Sequence, residues 1–138
     1  MKNMIKKSIL LFCLLFGIMF CVNAQTTKYY STDFAYKVKN DYGQWSDWSK
    51  WESSRCLITI SLDRNVINIY SEEPQEFDIY DSEGNVTDSD GESLILNCVD
   101  KNGLRCAVRL RVQNNGILQL YVEYNDLIFV YVLKRGTN

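Results

Sequence analysis

Between Leu104 and Val112 the chain alternates without a break. Leu104, Cys106, Val108, Leu110 and Val112 fall on one side, and Arg105, Ala107, Arg109 and Arg111 fall on the other. Successive side chains of a β-strand point to opposite faces, whereas a helix repeats about every 3.6 residues, so the pattern predicts a strand with one dry and one wet face. Residues 117–124 repeat it, with Leu118, Leu120, Val122 and Tyr124 on the dry side and Glu123 opposite them. Residues 127–133 are apolar on both faces. That predicts a central or barrel-closing strand whose outer side is also covered.

The same reading places strands over residues 28–39, 44–51, 56–62, 66–71, 75–80, 93–99, 104–112, 117–124 and 127–134, separated by short Gly, Asn and Asp clusters and by one long acidic connection over 81–92. The one proline, Pro74, sits in a connection, as expected where a sheet needs every backbone donor. The fold class is therefore all-β. Short consecutive strands with tight turns predict a small antiparallel meander closing into a barrel, with a two-sheet sandwich as the alternative. Closure removes the edges that would otherwise pair with other chains.

If Lys101-Asn102-Gly103 is a three-residue hairpin loop with Gly103 in the left-handed conformation, Cys98 stands directly opposite Cys106 on the apolar face. The two are then the candidate pair for a cross-strand disulfide in an oxidising compartment; the alternative is two core thiols packed as small hydrophobes. Cys56 alternates with Ile58 and Ile60 and reads as a buried free thiol.

The address comes from residues 1–24. Lys2, Lys6 and Lys7 precede an apolar run over 9–22, and Val22-Asn23-Ala24 offers a small residue for cleavage before Gln25. This is the pattern of a secretory signal peptide, leaving residues 25–138 as a single domain with a periplasmic or extracellular location. Ile18-Met19-Phe20 before Cys21 do not make a lipid-attachment box, so release is expected in place of anchoring. Without Lys2, Lys6 and Lys7 the 15 basic residues fall to 12 against 17 acidic ones, and the net charge goes from -2 to -5. An acidic domain of this kind has no electrostatic footprint for nucleic acid, and no further stretch has the length to insert in a membrane after cleavage.

Residues 45–51 read Trp-Ser-Asp-Trp-Ser-Lys-Trp. The segment resembles the Trp-Ser-x-Trp-Ser box of cytokine receptors and, more closely, the first strand of a thrombospondin type 1 repeat, whose tryptophan ladder stacks on arginines. The likeness covers these seven residues; the further cysteines of such a repeat do not follow, since only Cys56 lies nearby. In an extended, polyproline-like stretch, residues three apart lie on one side. Trp45, Trp48 and Trp51 are thus the candidate binding residues, with Arg105, Arg109 and Arg111 expected to stack on them. The alternative is aromatic packing at one end of the barrel.

Other chemistry is sparsely represented. The chain contains no histidine, which removes the commonest general base, the usual nucleophile partners and the usual zinc ligands. Asp88, Asp90 and Glu92 lack the spacing of a calcium loop, so no metal site is expected, and no glycine-rich phosphate loop calls for a cofactor. Paired-acid hydrolysis stays open as a class, with Asp78, Asp81 and Glu123 as its available carboxylates, although no spacing in the sequence points to such a pair.

The mature pattern as a whole is similar to a set of short secreted all-β proteins of Bacteroidetes. An aromatic opening strand, Tyr29-Tyr30-Ser31-Thr32-Asp33-Phe34-Ala35-Tyr36, leads to a Trp-rich turn, a hairpin from Cys98 to Cys106, and a final aromatic strand. The resemblance implies a small secreted β-protein, lipocalin-like by analogy, and assigns no functional residue. The expected function is a non-catalytic binding or interaction module with a side-chain-filled barrel. Its partner would be a protein or glycan met at the aromatic patch. A carrier of a small apolar ligand is the alternative, and the hydrolase a second one.

Overall fold

The computed structural model describes residues 26–136; the signal-peptide reading of residues 1–24, Cys21 included, lies outside the described residues. Nine strands form among them: β1 (Thr26–Val38), β2 (Glu52–Ser53), β3 (Leu57–Ser61), β4 (Val66–Tyr70), β5 (Gln75–Asp88), β6 (Gly91–Asp100), β7 (Arg105–Gln113), β8 (Leu118–Glu123) and β9 (Leu127–Arg135). All pairings are antiparallel. Eight strands close a barrel in sequence order from β1 through β3 to β9, and β9 returns to β1 from Tyr29↔Arg135 to Val38↔Leu127. The expected meander closing into a barrel is thus the architecture, and a sandwich is not. β1 makes closure possible because its 13 residues reach past β3 and bend at a bulge between Ser31 and Asp33. β2 adds a short rung to β1 at Asp33 and Phe34.

The inward rows fill the barrel. Ile58, Ile67, Phe77, Leu96, Val108 and Leu120 have almost no exposure and belong to one continuous cluster. Each such side chain contributes about 1.5–3 kcal/mol by leaving water. β9 is the closing strand, and its doubly apolar sequence has the expected cause: Val130 sits on the outward row, opposite Ala35 of β1, and both are buried there.

Two expected elements differ. The acidic connection over residues 81–92 is instead the far half of the β5–β6 hairpin, paired from Ser82↔Leu96 to Asp88↔Gly91. Two bulges, one beside Gly84 at a φ of 81°, let β5 curl with the barrel, so the acids lie along a bent strand. Asp88 closes the turn, its Oδ1 accepting the N–H groups of Asp90 and Gly91 at 2.8 and 3.0 Å. Gly91 is required there because a Cβ would collide with the Val112 carbonyl. The expected strand over 44–51 is likewise no strand, and its geometry is the subject of the next section.

The cysteine hairpin has the expected register, with Gly103 at a φ of 84° and Cys98 facing Cys106. The candidate disulfide is nevertheless unmade: Cys56, Cys98 and Cys106 are all buried free thiols. The Asp100 N–H donates to the Leu104 carbonyl at 2.8 Å, so alternation along the ladder puts Cys98 and Cys106 at a hydrogen-bonded pair, the wider of the two cross-strand spacings.

Candidate functional site: the tryptophan arm

After β1 the chain reverses through Asn40 and Gly43 and runs back along the same strand edge. It does so without forming a ladder. The Ser46 N–H donates to the Val38 carbonyl at 2.7 Å, and the Val38 N–H donates to the Ser46 hydroxyl at 3.0 Å. Three residues later the unit repeats: Ser49 N–H to Tyr36 carbonyl at 2.8 Å, Tyr36 N–H to Ser49 hydroxyl at 2.9 Å. Three further on, Glu52 pairs with Phe34 in β2. Residues 46, 49 and 52 therefore meet residues 38, 36 and 34, three for two.

The serines make this mismatch tolerable. A strand in register would offer a backbone carbonyl to the N–H groups of Val38 and Tyr36; here a hydroxyl accepts instead and donates its own O–H to the carbonyl of Asp47 or Lys50. Two residues of β1 span about 6.7 Å, so the arm rises by roughly 2.2 Å per residue, well short of a polyproline helix at about 3.1 Å. The expected period-three display is realised on a more compressed backbone.

Successive indoles are then about 6.7 Å apart along the arm, close to the spacing that accepts one cation between two rings. Lys37, on the outward row of β1, supplies it, with Nζ 5.5 Å from the Trp45 ring centre and 4.8 Å from that of Trp48. Lys39 caps the stack at 5.4 Å from Trp45. The next outward position on β1 is Ala35, which carries no charge, and among the described residues no cation lies over Trp51. Trp48 also meets Tyr121 of β8 edge-on, with ring centres 6.3 Å apart. Trp45, Trp48 and Trp51 remain 36%, 43% and 53% exposed.

The expected arginine stack is built from other residues. Arg105 lies over Tyr80 at 5.5 Å, Arg109 pairs with Glu123 at 3.2 Å, and Arg111 grips both carboxylate oxygens of Asp88 at 2.9 and 3.1 Å. Arg109 stands across from Tyr121 in the β7–β8 register and Arg111 also acts on that ring, so the arginine row meets the tryptophan face through Tyr121. Sequence reasoning missed Lys37, Lys39, Ser46 and Ser49. The signal was present: two lysines at period two precede two Trp-Ser pairs at period three.

Glu123 stands apart from the other two candidate carboxylates. Asp81 and Glu123 share one row of the wall, but β6 and β7 lie between them, which puts them about 14 Å apart along the sheet, beyond the ~9.5 Å limit for paired-acid hydrolysis. Glu123 is also engaged by Arg109. The bulge after Ile79 brings Asp78 and Asp81 to the same outward row of β5, opposite Val99 and Asn97, and Asp78 is exposed there. No protein-family model, curated protein or solved structure matches the chain.

Proposed function

We propose that this protein is a secreted, non-catalytic binding module that presents the tryptophan arm to a protein or glycan partner outside the cytoplasm. One observation carries the reading: three indoles stay substantially in water although the segment that bears them is fixed to β1 at every third residue. Aromatic side chains held rigid and exposed lose little conformational freedom when a partner covers them, which is why they dominate interface centres. The open surface of Trp51 is where a partner group completes the stack.

The filled interior supports a surface contact over a ligand held in the lumen. A lipid recovered in stoichiometric amount from the purified protein, seen by mass spectrometry of a solvent extract, would overturn that preference. The direct test is affinity electrophoresis of the mature protein through gels containing soluble polysaccharides. The expected result is retardation by at least one polymer, lost in the Trp45→Ala, Trp48→Ala, Trp51→Ala variant while its circular dichroism stays that of the parent. Equal retardation of parent and variant refutes the site.

A further inference from the structure

At the end of the barrel where β1 leaves, the β4–β5, β6–β7 and β8–β9 connections surround a basin of about 480 Å³. Its apolar lining includes Phe77, Leu104, Tyr124, Leu127 and Phe129, with the rings of Tyr124 and Phe129 6.5 Å apart. Leu104 is 58% exposed and offers apolar surface to the basin. The rim is acidic: Glu72, Glu73, Glu76, Asp100 and Asp126 all line the basin, against Lys101 as the one base. Lys101 donates its Nζ to the Pro74 carbonyl at 2.7 Å, so one positive charge sits on a rim that carries five carboxylates.

Asp100 is a permanent charge. Although partial desolvation works the other way, its carboxylate accepts the Tyr124 hydroxyl at 2.8 Å and the N–H groups of Asn102 and Leu104, and its pKa is held below the ordinary carboxylate value. The same bond orients the Tyr124 ring. Burial first, then that hydrogen bond, raises the Tyr124 pKa, so it remains a neutral phenol.

We infer that this basin is a second binding site, for a small organic cation with an apolar body, such as a substituted amine or quaternary ammonium compound. The volume suits a small molecule, the half-buried Tyr124 ring beside a carboxylate rim favours a cation, and the apolar surface favours an organic ion over a hydrated inorganic one. Among the described residues no cluster of carboxylates, cysteines or histidines could hold a metal ion. The site uses no residue of the tryptophan arm, so it stands or falls separately from the proposed function.

The test titrates the ¹⁵N-labelled mature protein with benzyltrimethylammonium, benzyl alcohol and benzoate, three aromatic probes of different charge. The cation is expected to shift the amides of Leu104, Tyr124 and Leu127 saturably, with benzyl alcohol at least tenfold weaker and benzoate without effect. The Glu72→Gln, Glu73→Gln, Asp126→Asn variant, which leaves the Asp100 turn intact, is expected to bind the cation about tenfold more weakly. Equal shifts by the alcohol, shifts confined to residues 45–51, or no response at the basin would each overturn the assignment.

Discussion

The β6–β7 hairpin and the tryptophan arm both satisfy a strand edge, and they do it by opposite means. From Gly91↔Gln113 to Val99↔Arg105 the hairpin pairs residue for residue, so every second side chain enters the core. Along β1 the arm pairs three for two, so its indoles all stay outside. Strict alternation stabilises through burial; the three-for-two march gives up burial and relies on serine hydroxyls and lysine–indole contacts. The first builds the barrel, and the second displays aromatic surface on it.

If that division holds, the two regions respond to truncation very differently. Leu96→Ala, in the hairpin core, is expected to destabilise the fold by about 2–5 kcal/mol through lost transfer energy and a residual cavity. Trp51→Ala removes a larger side chain from the arm and is expected to cost about 1 kcal/mol or less. Urea denaturation of both variants measures the contrast, and comparable losses would erase it.

A smaller effect isolates the hydroxyls. Ser46→Ala and Ser49→Ala each leave a β1 N–H without its acceptor and are expected to cost about 0.5–1.5 kcal/mol, with Ser49→Thr retaining the bond. Hydrogen exchange locates the change: the amides of Val38 and Tyr36 should lose protection while those of β6 and β7 keep theirs. Unchanged exchange at Val38 and Tyr36 would show that the arm is held some other way.

Thiol labelling compares the same two regions through their cysteines. Burial pushes the Cys106 thiol up to about 11 and raises Cys98 as well, so at pH 8 the native hairpin carries almost no thiolate and should resist a charged disulfide reagent until unfolded. Cys56, where the arm joins β3, hydrogen-bonds to Ser31, with Sγ to Oγ at 3.2 Å. In the Ser46→Ala, Ser49→Ala variant it should react first, with Cys98 and Cys106 still protected. Simultaneous labelling of all three would mean that arm and barrel open as one unit.

What could be read in advance follows the same line. Period two in residues 104–112 and 117–124 is set by the pleat itself, so strands, inward faces and barrel closure were legible, as was the covered outer side of β9. Bulges are not periodic. Residues 81–92 read as a loop because bends near Asp81 and Gly84 break the alternation that the strand pairing nonetheless carries through. At the arm the period of the tryptophans was visible, but which cation reaches them depends on register between the arm and β1, which composition does not encode. The basin was invisible for a related reason: its rim comes from three connections that meet only once the barrel has closed.

The smallest expected effect concerns the end of that misread hairpin. Two guanidinium nitrogens of Arg111 bind Asp88, and this contact together with the Asp90 N–H holds the Asp88 carboxyl at about 2, below its ordinary 3.8. A group whose pKa is depressed on folding stabilises the protein above its unfolded value and loses that contribution as pH falls through the folded one, so the window runs from about pH 4 down to pH 2. Asp88 is exposed, so water and salt screen the pair and the effect is slight beside core truncation. Other carboxylates titrate over the same range, which makes the difference between variants the useful quantity. Melting temperatures of the parent and of Asp88→Asn should converge as pH falls from 4 to 2, the parent alone losing the ion pair, and Arg111→Gln should follow the Asp88→Asn curve. Parallel profiles for parent and variants would mean that the turn is held by its backbone hydrogen bonds, and that the hairpin, unlike the arm, needs no side-chain charge to finish it.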